Sequence, residues 1–285
     1  MNAITIETCG TLRSKWGEGP IWWNDFLYYV DIEGKLVVRF HPQSGEEKTW
    51  DVGQRVGLVV PRENGGLLCA GDHGFFFLDE ATGTCTPIVD PEEHMSDNRF
   101  NDGKCAPDGS LFAGSISLVK RVGDAKLYRL TPDLTCTVAF ENVTTSNGII
   151  WSADGAICYY IDTPRRSVLA FDYLNGALTN PREVIDTKSI DASPDGMTID
   201  EQGRLWVVFC HGACVCCYDP ASGQQVERID LPCLETTACA FGGPDLDDLY
   251  ITTGIHKSVV EEEAGLLFVI KGLGARGVKA SAFAG

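Results

Sequence analysis

Glu18-Gly19-Pro20-Ile21-Trp22-Trp23-Asn24-Asp25-Phe26-Leu27-Tyr28-Tyr29-Val30 reads as a β-hairpin, two apolar, aromatic-rich strands joined by an Asn-Asp turn. The turn and the strand after it recur along the chain: Asn64-Gly65-Gly66 before Leu67, Asp108-Gly109-Ser110 before Leu111, and Asp154-Gly155-Ala156 before Ile157. Gln202-Gly203-Arg204 before Leu205 and Asp247-Asp248 before Leu249 complete the series. With markers at positions 25, 64, 108, 154, 202 and 247, the spacings are 39, 44, 46, 48 and 45 residues. Each unit carries a further apolar strand ending in a turn, such as Leu36 to Phe40 before His41-Pro42 and Val215 to Tyr218 before Asp219-Pro220. A period of roughly 40 to 50 residues holding about four strands marks a propeller blade. The sequence therefore predicts an all-β fold, a six-bladed β-propeller of four-stranded antiparallel blades, with residues 1–285 as one domain. Ile4 to Cys9 alternates as a strand should and is expected to close the ring by pairing with the last blade.

Composition narrows the function. Hydrophobic residues make up 44% of the chain and charged ones 22%, enough for a sizeable core. Against 23 Lys and Arg stand 40 Asp and Glu, a formal net charge of -17. Phosphate binding needs clustered cations, so this balance argues against nucleic acid and anionic membranes as partners. It suits cations and neutral small molecules, and it also keeps a protein in solution. Met1 to Gly10 lacks the basic and apolar regions of a secretory signal, and no stretch is long enough to span a bilayer. Both observations lead to the expectation of a cytoplasmic protein. Most of the twelve cysteines sit inside apolar strands, as Cys69, Cys158 and Cys239 do, and are read as small hydrophobes rather than as a disulfide framework.

The strand before each turn would be the innermost of its blade, and inner strands all begin at one end of the channel. In four of the six units this strand opens with an acidic or amide residue followed by glycine: Glu18, Asp102, Asn147 and Asp195. Asp-Gly and Asn-Gly are also ordinary turn pairs, but glutamate is a weak turn former. Oxygens of this kind gathered at one point repel each other unless a cation sits between them. They suit Ca²⁺, Mg²⁺ or Mn²⁺, with Zn²⁺ and Fe²⁺ also open.

At these residues the chain resembles the regucalcin, gluconolactonase and luciferin-regenerating enzyme family, also called senescence marker proteins. The likeness lies in Gly17-Glu18-Gly19-Pro20-Ile21-Trp22, Arg99-Phe100-Asn101-Asp102-Gly103-Lys104, Ser146-Asn147-Gly148-Ile149-Ile150-Trp151, Pro194-Asp195-Gly196-Met197 and Phe241-Gly242-Gly243-Pro244-Asp245. The resemblance implies a six-bladed propeller holding one divalent cation on Glu18, Asn147 and Asp195, with Asp195 also the catalytic base and with Arg99 and Asn101 binding substrate. It implies hydrolysis of a sugar lactone to the sugar acid, with no obligate protein partner. Alternatives are a non-catalytic Ca²⁺-binding regulatory protein, and an esterase or organophosphate hydrolase on the same metal site. Some animal members carry a glutamate shortly after the strand matching Leu111 to Gly114, where this chain has Val119, which bears on the choice of sugar.

Other features are read as structural. Cys210, Cys214, Cys216 and Cys217 surround His211 but lack the two separated ligand pairs of a zinc ribbon, so they are taken as packed strand residues. His211 is read as structural or exposed, and His41, His73, His94 and His256 as loop residues without a ligand pattern. Glu261-Glu262-Glu263 is expected to form a solvated acidic loop, and Trp22, Trp151 and Trp206 to lie in the core. Neither a phosphate-cradling glycine loop nor a Gly-x-Ser-x-Gly elbow is present, which sets aside a covalent serine hydrolase.

Overall fold

A computed structural model describes residues 3–285. Their strands form six four-stranded antiparallel sheets, the six-bladed propeller expected from the repeat. The inner strands are Gly17–Trp23, Val56–Pro61, Asn98–Cys105, Ser146–Trp151, Ser193–Ile199 and Thr236–Gly242. Five blades are built from consecutive strands, whereas the sixth takes Thr5–Cys9 as its outer strand. That strand pairs with Leu267–Lys271 in the register Thr5↔Lys271 to Cys9↔Leu267, so Thr5–Cys9 locks the ring shut.

Burial follows from the architecture. Inner and middle strands are covered on both faces by neighbouring blades, so they read as continuous apolar runs; Leu205–Cys210 is buried at every residue. Outer strands face solvent and lose that pattern, as in Gln224–Asp230. All twelve cysteines are free, and nine of them are buried, as expected of residues serving as core hydrophobes. No helix among the described residues is long and apolar enough to cross a membrane.

Each of the six inner strands carries a bulge close to its start, between Glu18 and Ile21, Val56 and Leu58, Phe100 and Asp102, Ser146 and Ile149, Pro194 and Met197, and Thr236 and Ala238. A bulge frees a residue from the ladder and re-aims its side chain. Here the six kinks face one mouth of the channel. The glycines beside them serve close approach more than unusual backbone angles. Only Gly19 has a positive φ, of 57°, whereas a side chain on Gly196 would meet Ala238 Cβ at 2.3 Å and one on Gly148 would meet Asp195 O at 2.8 Å.

Buried carboxylates pin the loops that deliver these bulges. Asp31 accepts the backbone N–H groups of Lys15 and Trp16, each at 2.9 Å. Asp162 does the same for Thr144 at 3.1 Å and Thr145 at 2.9 Å. Asp162→Ala should lower stability by about 2–4 kcal/mol, because it leaves these donors facing protein without a charged acceptor. Urea unfolding of the variant checks this, and a change below about 1 kcal/mol would mean the loop re-pairs with water.

Candidate functional site

Glu18, Asn101, Asn147 and Asp195 are all buried, at 4%, 8%, 5% and 6% exposure, although each is polar or charged. The bulges explain their aim. Asn101, Asn147 and Asp195 are themselves unpaired bulge residues, and Glu18 is the last paired residue before the first kink. Asp102, which the glycine pattern put in the same slot, lies one residue past the bulge and pairs with Gly114. The third blade thus offers Asn101 in the position that Asn147 and Asp195 occupy in theirs, with Asp102 buried beside it at 2% exposure.

The polar contacts form a chain across three blades. Arg99 Nη1 donates to Asn101 Oδ1 at 2.7 Å and to Phe100 O at 2.8 Å. Asn101 Nδ2 donates to Asn147 Oδ1 at 3.0 Å and to Ser146 O at 2.7 Å. Asn147 Nδ2 donates to Thr163 Oγ1 at 2.8 Å, and the Thr163 hydroxyl donates to Pro194 O at 2.9 Å, beside Asp195. Thr163 carries no signal in the sequence, because it enters from the loop after the fourth blade's second strand and touches the site only through the fold. Glu18 Oε2 accepts the Gly19 N–H at 3.0 Å. Asp195 Oδ1 is buried and has no hydrogen-bond partner.

An unpartnered buried carboxylate oxygen is costly. Burial raises the Asp195 carboxyl well above its ordinary value, and the charges of Glu18 and Asp102 push it further. Glu18 is pushed up to about 8 by burial and then by Asp102. Asp102 is raised by burial, against the pull of Lys104. Burial also brings the Arg99 guanidinium down to about 10, helped by the nearby charge of Arg55. The site is therefore a buried, oxygen-rich pocket in which carboxylates oppose one another. A divalent cation fits it: the donors are hard oxygens, their mutual repulsion is what a cation relieves, and Asp195 Oδ1 is free to bind.

Two expectations change on this geometry. His256, read as a loop residue without a ligand pattern, places Nε2 at 3.7 Å from Glu235 Oε1, and His211 places Nδ1 at 2.8 Å from Glu235 Oε2. Trp206 and Trp151 lie in the core as expected, whereas Trp22 is only partly buried, and Trp22 and Trp151 also line a cavity of about 440 Å³ that contains none of Glu18, Arg99, Asn101, Asn147 or Asp195. That cavity opens where the inner strands end, at the far mouth of the channel, and its walls are chiefly apolar and aromatic. Val119 is half exposed, in the turn beyond the third blade's second strand.

Comparison with known proteins agrees with the fold. Residues 16–255 match the family model described as SMP-30/Gluconolactonase/LRE-like region. Regucalcin of Danio rerio is 37% identical over 296 residues, covering 100% of both chains. A solved luciferin-regenerating enzyme superimposes with a TM-score of 0.92 at 27% identity, covering 99% of this chain and 100% of that one. A calcium-binding regucalcin from Agrobacterium tumefaciens gives 0.90 at 25% identity, covering 95% of each. The chain belongs to the SMP-30/gluconolactonase/LRE-like family.

Proposed function

We propose that this protein is a divalent-cation-dependent lactonase that opens a neutral sugar lactone to its acid. The observation that carries the reading is the unpartnered, buried Oδ1 of Asp195, set among the charges of Glu18 and Asp102 and next to the Arg99–Asn101–Asn147 chain. Glu18, Asn147 and Asp195 would hold the cation. When bound, it supplies Lewis-acid polarisation of the lactone carbonyl, a contribution of several kcal/mol.

The remaining work falls to the chain. Asp195 takes the proton from the attacking water on a carboxylate oxygen, its burial and carboxylate neighbours opposing the loss of basicity that a bound cation brings. Arg99 offers a planar fork of donors for ring hydroxyls or the newly formed carboxylate. Its Nη1 is already committed to Asn101 and Phe100, which fixes the orientation of the fork. Asn101, held between Arg99 and Asn147, transmits that alignment to the ligand set. Val119 in place of a carboxylate removes one charged contact to a sugar hydroxyl, so lactones with fewer polar demands at that edge are preferred.

The test is acid release from a panel of aldonolactones by protein stripped of metal and reloaded with single divalent ions. Turnover that returns with an ion supports the reading, and no turnover with any ion and any lactone overturns it. Glu18→Gln should weaken ion binding by roughly tenfold or more, read by calorimetry, since it removes a charged ligand while keeping its shape. The name regucalcin, borne by the relatives, favours a second reading, a Ca²⁺-binding regulatory protein without turnover. It is distinguished by tight Ca²⁺ binding together with silence across the lactone panel.

A further inference from the structure

A second group of donor atoms adjoins Asp195 where the fifth and sixth blades meet, with the Cys210 thiol hydrogen-bonded to the Asp195 carboxylate. Cys210 closes the second strand of the fifth blade, Leu205–Cys210, and pairs with Ser193. The residues at this register in two other blades are Asp31, opposite Gly17, and Asp162, opposite Ser146. Both spend their carboxylates on backbone N–H groups of the preceding loop. The fifth blade has a thiol there instead, and it turns toward the next blade: Cys210 Sγ lies 3.1 Å from Glu235 Oε2. His211 Nδ1 lies 2.8 Å from the same oxygen. Cys210, His211 and Glu235 each offer a donor atom within 4.8 Å of the others.

Glu235 is the anomaly that asks for a ligand. Its side chain is 2% exposed, and among the described residues its only charge partners are His211 and His256, with no lysine or arginine. His256 is an outer contact rather than a donor to an ion. Its Nδ1 accepts the N–H groups of Ser258 at 3.0 Å and Val259 at 3.1 Å, which leaves the ring proton on Nε2, facing Glu235 Oε1. Such a contact fixes a ligating carboxylate from behind. The His211 side chain, 53% exposed, gives the group an entrance from solvent.

We propose that Cys210, His211 and Glu235 form a binding site for a thiolate- and imidazole-preferring divalent ion of the zinc class, distinct in its donor atoms from the adjoining oxygen-lined site around Asp195. The two donor sets sort ions by softness: sulfur and nitrogen on one side, carboxylate and amide oxygen on the other. Three protein ligands with a fourth position open to solvent is an arrangement that zinc accepts. On binding, the ion replaces the thiol proton, which leaves to solvent, and the His211 ring proton shifts to the exposed Nε2. The thiolate and the Glu235 carboxylate then balance the ion's charge. Of the four cysteines near His211 in sequence, only Cys210 takes part; Cys214 pairs with Phe209 in the neighbouring strand.

Cobalt(II) is the probe, because a Cys–Co²⁺ bond produces a near-ultraviolet charge-transfer band that an all-oxygen site does not. Full-length protein stripped of metal should develop the band with one equivalent of Co²⁺ and lose it when Zn²⁺ is added. Cys210→Ser should abolish the band and Cys214→Ser should leave it. His211→Ala, at an exposed position that does not threaten folding, should weaken Co²⁺ binding at least tenfold, and His256→Ala roughly 10–100-fold as the loss of an outer contact. The band should persist in Glu18→Gln. Absence of the band in the wild-type protein, its survival in Cys210→Ser, or its loss in Glu18→Gln would overturn the proposal, the last by showing a single shared site.

Discussion

Asp195→Asn should lose roughly a thousandfold or more of lactone turnover while melting at a higher temperature than the wild-type protein when both are free of divalent ions. The first half follows from chemistry. An amide of the same shape cannot take a proton from water, a function worth roughly 10²–10⁴ in rate, and it is a poorer ligand than a carboxylate. The second half follows from electrostatics. In the ion-free protein Asp195 is held above its ordinary value by burial and by the charges of Glu18 and Asp102. Each unit of such a shift is about 1.4 kcal/mol of differential stability between the two protonation states. Asparagine carries no charge, so near neutral pH the substitution removes the penalty along with the activity. Steady-state kinetics and thermal melts in chelator check the pair of effects. Undiminished turnover would remove Asp195 from the chemistry, and a lower melting temperature would show that its carboxylate is well paired in the folded protein.

The same residues show what a sequence conveys about a propeller and where it falls short. The blade repeat is legible because turns and apolar strands are local signals: Asn24-Asp25 before Phe26–Asp31 reads the same in isolation as in the ring. Ring closure by Thr5–Cys9 was legible for the same reason. The bulges were not, because a bulge is a property of two strands and depends on the register between them. Counting glycines along the chain placed Asp102 with Glu18, Asn147 and Asp195, and only the pairing of Asp102 with Gly114 shows that Asn101 holds the equivalent place. The Cys210–His211–Glu235 group was hidden by distance along the chain. His211 follows Cys210 directly, but Glu235 and His256 arrive from the next blade, and nothing near either one advertises a ligand. Motif spacing finds ligand sets that lie on one hairpin; a ring distributes them among several.

In chelator, thermal stability should fall as pH rises from about 5 to about 9, and a saturating divalent ion should flatten that fall. The sign comes from proton counting. Unfolded, Glu18 loses its proton near its ordinary value of 4.5, whereas folded it keeps it up to about 8. Asp102 and Asp195 are shifted in the same direction. Between the two values the folded protein binds more protons than the unfolded one, so each step upward in pH favours unfolding, and the loss is complete once pH passes the folded value. Burial is the leading cause for all three groups, and the Glu18 shift alone corresponds to several kcal/mol, a large share of the stability of any domain. An ion that binds only the folded site adds stability in proportion to the logarithm of its concentration over its dissociation constant, and it does so best where the carboxylates are ionised. The ion-bound curve should therefore separate from the chelated one as pH rises and meet it in acid. Melts of the Glu18→Gln variant should show a shallower fall in chelator, since one of the titrating groups is gone. A chelated protein whose melting temperature stays level across this range would mean that the carboxylates at the channel mouth ionise without cost, and with that the physical reason for a cation among them would disappear.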